Sequence, residues 1–360
     1  MKKAKGIFFI VMLFFSICYA EDINQNITIG STGNFQSIQA AINHIAANVL
    51  TNNIDIIIQS TYSVSNETFP ITISSNFNTS IYSVTFKTLA SISLQSTTTE
   101  PVLILDGCKN VVFDGRIDGS GQNITLSNTN VSGNVIQLKN SANNNTLRNL
   151  NIKGINSSTS SGLVLFSTAG AGTGNNNNTV EYCNISREIT DPVKYPCNLI
   201  YSAGTLNSPN TGNIIQHNKL FDYTKTDNAN SDYSASVFLH SNNSSWIINS
   251  NTIYQSTTLP NASALLFHCG IYIHGQNNFN STITNNVIGG ENLENGGSWK
   301  YLSHSKYIVK GISITNPLQA PSASSENMIQ NNTIKNIILK SSESSTITFK
   351  GIEILYGVSN

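Results

Sequence analysis

The chain has 360 residues, acidic and basic side chains in equal number, and only 11% charged residues, so amides and hydroxyls must supply its polar surface. That balance excludes a basic field able to hold nucleic acid or an anionic membrane surface. The length is ample for one large core, which a repeat fold would lay out as a column.

Lys2, Lys3 and Lys5 precede an apolar stretch from Ile7 to Ile17, and Cys18-Tyr19-Ala20 stands just before Glu21-Asp22. This order of charge, apolar run and small residue predicts a secretory signal peptide over 1–20, cut after Ala20. The apolar run is shorter than the ~20 residues a bilayer-spanning helix needs, so no membrane span is expected in the mature chain. A secreted or cell-surface location follows as an expectation. Four cysteines then remain, Cys108, Cys183, Cys197 and Cys269, with no C-x-x-C spacing. An oxidising destination permits a Cys183–Cys197 bridge, but buried free thiols are the simpler expectation.

Residues 21–100 read as an N-terminal cap and first irregular coils. Phe35, Ile38, Ile42, Ile45 and Val49 fall at helical spacing within 34–50, with Asn34 or Ser37 placed to cap. An amphipathic helix here would cover the apolar end of a column. Four strand-like runs, 26–30, 54–60, 69–74 and 82–88, would form the coils beneath it.

From residue 101 to 360 two segments alternate. The first is a short apolar strand, as in "VLILDG" (102–107), "GLVLFS" (162–167), "GIYIHG" (270–275) and "GIEILYG" (351–357). The second places an aliphatic residue, an Asn and another aliphatic at i, i+3 and i+5: Ile215, Asn218, Leu220; Ile248, Asn251, Ile253; Ile283, Asn286, Ile288; Ile329, Asn332, Ile334. Earlier copies put Leu150 or Cys183 in the middle. Neither period 2 nor period 3.6 gives that spacing alone, whereas a bend followed by a new strand does.

The segments are rich in Ile, Val and Thr and the connectors in Asn, Gly and Ser, which points to strands. The expected fold is all-β: a right-handed parallel β-helix, a solenoid whose coils stack ~4.8 Å apart, with an N-terminal amphipathic capping helix. Asn218, Asn251, Asn286 and Asn332 would then form a structural ladder at the bend, where Asn tolerates a left-handed backbone. The last strand segment has no bend segment after it, so the column is expected to continue past Asn360.

Candidate chemistry is sparse. Asp114 and Asp118, with Asp106 before them and Arg116 between, form the best acidic cluster. A hydrolase would need such carboxylates as acid and base, and a lyase would need them to hold Ca²⁺ against a uronate. Each precedes a glycine, however, and Asp-Gly is ordinary turn chemistry. The six histidines do not cluster: His240 and His274 lie in neighbouring strand segments without an acidic third ligand, so no metal is expected. The segment 289–310 gathers Trp299, Tyr301, His304 and Tyr307 in a chain with two tryptophans. Such rings suit the apolar faces of sugars, or they fold back onto the column.

"GSTGNFQSIQAAINHI" (30–45), "LDGCKNVVFDGRIDGSG" (105–121), "NNTLRNLNI" (144–152) and "NVIGGENLENGGSWKYL" (286–302) together resemble the β-helix region of large secreted surface proteins of Bacteroidetes-type bacteria. The resemblance spans nearly all the mature chain and implies fold and location more than activity. The opening "GNFQSIQAAI" also resembles the entry to pectin methylesterases and pectate-lyase-like proteins, over the cap only. The function expected is a non-catalytic, adhesin-like scaffold contacting extracellular glycans or cell-surface material, with no cofactor. The alternative is a polysaccharide lyase or glycoside hydrolase acting on acidic polysaccharide, with Ca²⁺ in the lyase case.

Overall fold

Alternation of buried and outward residues runs through the first strands, as in Ile54, Ile56 and Ile58 facing in while Asp55 and Ile57 face out. The computed structural model describes residues 20–77, 81–167, 173–189, 193–225, 233–260, 265–294, 296–300, 306–316, 326–339 and 348–356. The expected signal peptide lies outside the described residues apart from Ala20. Among the described residues the strands form three large sheets of ten, nine and eight strands, and every strand pairs in parallel with its counterparts in the coils above and below. This is a parallel β-helix.

Parallel pairing without register shift stacks like on like. Leu147, Val180, Ile215, Ile248, Ile283 and Ile329 follow one another down the ten-stranded sheet. Ile152, Ile185, Leu220, Ile253, Ile288 and Ile334 do so in the eight-stranded sheet. In the nine-stranded sheet the row is Val164, Ile200, Val237, Ile271, Ile312 and Ile352. Away from the last coils these side chains are fully buried. Each contributes roughly 1.5–3 kcal/mol relative to exposure, so the three rows are the main source of cohesion. The i and i+5 aliphatics of the repeat thus belong to two different sheets, on either side of a bend.

The helix spans Ile38–Ala46 and buries Ile38, Ala41, Ile42 and Ile45 on the column's end. Ser37 caps it, its side chain accepting from the Ala40 N–H. The Glu67 carboxylate accepts from the Ile38 and Gln39 N–H groups, a favourable charge for a helix N-terminus. The helix is shorter than the apolar spacing predicts: Phe35 precedes it, and Val49 lies beyond it in a two-residue strand, half exposed. No helix among the described residues is long and apolar enough to cross a membrane.

Strand length changes along the nine-stranded sheet. Leu103–Asp106, Ile136–Lys139 and Val164–Ser167 have four residues each, whereas Leu265–His274 has ten and Lys306–Asn316 eleven. The long strands pass through Gly270 and Gly311. A Cβ on Gly311 would lie 2.6 Å from the Gly351 carbonyl oxygen and 2.3 Å from Ile334 Cδ1, so only glycine lets these strands approach so closely.

Candidate functional site

The outward row of the ten-stranded sheet carries alternating charge across successive coils: Asp114, Arg148 and Glu181 stand in register, followed by Gln216. Arg116 grips Asp114 with two bonds, Nε to Oδ1 at 2.9 Å and Nη2 to Oδ2 at 2.7 Å. Arg148 Nε donates to the same Oδ2 at 2.9 Å. Burial alone would raise the Asp114 pKa, but the hydrogen bonds from Arg116 and the charges of both arginines outweigh it and hold the carboxyl below the usual range. Asp114 is therefore an ionised strut.

The other acidic candidates stand just before turn glycines. Asp118 takes φ 47° and Gly119 φ 79° in a small hairpin excursion closed by Ile117 and Ser120. Asp106 precedes Gly107, at φ 72°, and pairs with Lys139 at 3.4 Å. Gly115 has a different reason: its Cβ would fall 2.0 Å from the Asn149 carbonyl oxygen. Asp55, Lys87, Asp114, Arg116 and Asp118 line an open groove of about 450 Å³.

The bend asparagines bond down the column. Asn218 donates from N and Nδ2 to Asn251 Oδ1, both at 3.0 Å. Asn251 does the same to Asn286, and Asn286 to Asn332. Each Nδ2 also donates to a carbonyl of the preceding coil, Asn251 to Ile215 and Asn286 to Ile248. In the coil above, the Cys183 N–H joins the ladder by donating to Asn218 Oδ1, and its thiol donates to the Leu147 carbonyl in place of an amide. Burial pushes that thiol up to about 12.

One expectation needs correcting. The left-handed residue at the bend is the one before the ladder position: Asn149, Tyr182, His217, Ser250, Asn285 and Asn331 all have φ between 54° and 58°. The ladder asparagine turns inward, and its predecessor absorbs the backbone reversal.

Further buried amide chains went unread in the sequence. Asn145, Asn178 and Asn213 form a second ladder at the preceding corner. Asn175 to Asn210 and Asn243 to Asn278 form a third, with Ser202 accepting from Asn210 Nδ2 and donating to Asn243 Oδ1. Their signal was the spacing N-x-x-N just ahead of the first aliphatic, as in Asn175 and Asn178 or Asn210 and Asn213.

Trp299 and Tyr307 are completely buried, so they present no ring face to a sugar; the expectation of an aromatic binding loop is corrected for these two. Tyr301 and His304 lie outside the described residues. Trp299 packs edge-on against His268 at 5.0 Å and Tyr223 at 6.4 Å, and the Tyr307 hydroxyl donates to the Pro260 carbonyl. The strands lengthen here, and the rings fill the added corner. His268 sits within it, 2.9 Å from Ser234 Oγ, and burial pushes its pKa down to about 3. His240 and His274 face each other at 5.6 Å; burial lowers both, and the charges of His240 and Lys310 lower His274 further. Among the described residues no three His, Cys, Asp or Glu side chains gather as metal ligands. Cys108, Cys183, Cys197 and Cys269 are buried thiols.

Two rings do face solvent. Tyr182 is 46% exposed and stacks on the exposed His217 in the next coil, centroids 4.9 Å apart and planes within 6°.

These features define a parallel β-helix whose polar side chains serve mainly to join coil to coil. No protein-family model matches the chain, and no curated protein sequence matches it. Among solved structures the Streptococcus pneumoniae surface protein and adhesin PfbA is similar at 13% identity and a TM-score of 0.33, over 87% of this chain and 95% of that one. So low a score carries no argument about function.

Proposed function

We propose that the chain is a secreted or cell-surface, non-catalytic β-helix scaffold, adhesin-like, that holds extracellular glycans or other cell-surface material on its outward surface. The observation that carries this reading is the state of Asp114: two arginines occupy its oxygens, so its lone pairs serve the column and not a substrate. The sequence resemblance to β-helix regions of Bacteroidetes-type surface proteins supports the location. The groove over Asp55, Lys87, Asp114, Arg116 and Asp118 favours a second reading, a polysaccharide lyase or glycoside hydrolase on acidic polysaccharide, with Ca²⁺ recruited in the lyase case. Incubating the protein with pectin and alginate, with and without Ca²⁺, separates the two. The scaffold reading expects neither new reducing ends nor the absorbance of unsaturated products. Turnover abolished by Asp114→Ala or Asp118→Ala would overturn it.

A further inference from the structure

At the bend before the ladder, the chain needs a residue that tolerates the left-handed backbone. Four of the six coils use Asn149, Ser250, Asn285 and Asn331, which are short and polar. The other two use Tyr182 and His217, both at φ 54°. His is tolerated in this region along with Asn, but a residue as bulky as Tyr is an outlier there, and such strain persists where something else selects the side chain. The two rings lie in adjacent coils, so the strained Tyr182 falls directly beside His217.

Exposure singles out the same pair. In the same two coils Phe166, Tyr195, Tyr201 and Tyr223 are buried and Phe221 is partly buried. Tyr182 stands at the corner with His217 stacked beneath it. The equivalent corner positions above and below hold Asn149 and Ser250, too short to cover a ring. Polar groups adjoin: Glu181 accepts from Gln216 Nε2 at 2.8 Å, and Gln122 on the excursion donates to the Tyr182 carbonyl. The charges beside the stack balance, Arg116 and Arg148 against Asp114 and Glu181.

We propose that Tyr182 and His217 form a stacking platform for a neutral glycan. The ring faces take the apolar face of a hexose, and Glu181, Gln216 and Gln122 offer donors and acceptors to its hydroxyls. The balanced charge favours a neutral sugar over a uronate. The inference rests on the glycan-holding reading above and moves its site from the 289–310 loop to this corner.

The test is affinity electrophoresis of the intact protein through gels containing mannan, laminarin, xyloglucan or polygalacturonate. The variants are Tyr182→Asn, His217→Asn and Tyr182→Phe. Asn is the residue this turn uses elsewhere, so Tyr182→Asn should keep or raise the melting temperature while weakening retardation about tenfold. Tyr182→Phe keeps the ring and should retain most of the retardation. Wild type retarded by a neutral polysaccharide, with both Asn variants released, supports the platform. Equal retardation of wild type and both Asn variants overturns the site and leaves the glycan reading standing. Retardation by polygalacturonate alone overturns the neutral class. A wild type that none of the four retards overturns the platform, and the glycan part of the proposed function with it.

Discussion

From Lys87 to Gln216 one outward row of the ten-stranded sheet is charged or polar and bonded side chain to side chain, whereas between Tyr201 and His274 the nine-stranded sheet carries outward aromatic rings. Lys87 meets Asp55 at 2.6 Å, and Asp114 holds Arg116 and Arg148. In the other region Phe238 lies between Tyr201, at 5.2 Å, and Tyr272, at 4.8 Å, while Tyr233 packs on Phe267 at 4.5 Å. The interior rows run through both regions with little change. Coil stacking therefore constrains the inward and corner residues and leaves the outward ones free to diverge. The divergence has a physical cost in one place: the aromatic region holds its histidines neutral.

The largest effect should come from breaking what the regions share. Asn251→Leu removes the acceptor for the Asn218 N–H and Nδ2 and the donor to the Ile215 carbonyl, all in a dry corner. It should cost on the order of 4 kcal/mol in urea denaturation, against about 1 kcal/mol for Arg148→Ala on the half-exposed ionic stripe. Equal costs would erase the distinction between corner and surface.

Acid should separate the regions next. The His268 pKa is depressed by burial, so the unfolded chain takes up the proton first; the stability linked to it is full above about pH 6.5 and is lost as pH falls toward the folded value of about 3. His240 and His274 act with the same sign. Asp114 is lowered too, but its contribution holds down to the ordinary carboxylate pKa of about 3.9 and is lost only below it. At pH 4 the loss from His268 is on the order of 3 kcal/mol. Trp299 packs edge-on against His268, so tryptophan fluorescence should change before the far-ultraviolet circular dichroism does. His268→Gln should move that change to lower pH; coincident transitions in both proteins would count against it.

The smallest effect sharpens the boundary. Cys183→Asn should carry the ladder one coil further, its Nδ2 replacing the thiol at the Leu147 carbonyl, for a gain of about 1 kcal/mol in the same denaturation assay.

The i, i+3, i+5 spacing made the bend and its asparagines legible, because inward residues repeat with the coil whatever lies between them. The cap helix was legible from Ile38, Ile42 and Ile45. Asn145, Asn178 and Asn210 were not, since in so amide-rich a chain a buried asparagine and a solvated one look alike. Trp299 and Tyr307 misled for a related reason: nothing local shows that the strands through Gly270 and Gly311 lengthen and create a corner for them. Tyr182 was missed because its position follows a backbone reversal assigned to the neighbouring residue.

The ladder's amide-to-amide bonds all run one way, each N–H and Nδ2 reaching toward the Asn Oδ1 of the following coil. Every rung therefore offers the same complement at its top and at its bottom, while the interval between rungs ranges from 33 to 46 residues. A gene segment encoding one whole coil could be copied or deleted at any loop without leaving a mismatched rung. The Asn column is thus a joint that accepts changes of length in units of one turn, a route by which such a chain can grow or shorten without redesigning its interior.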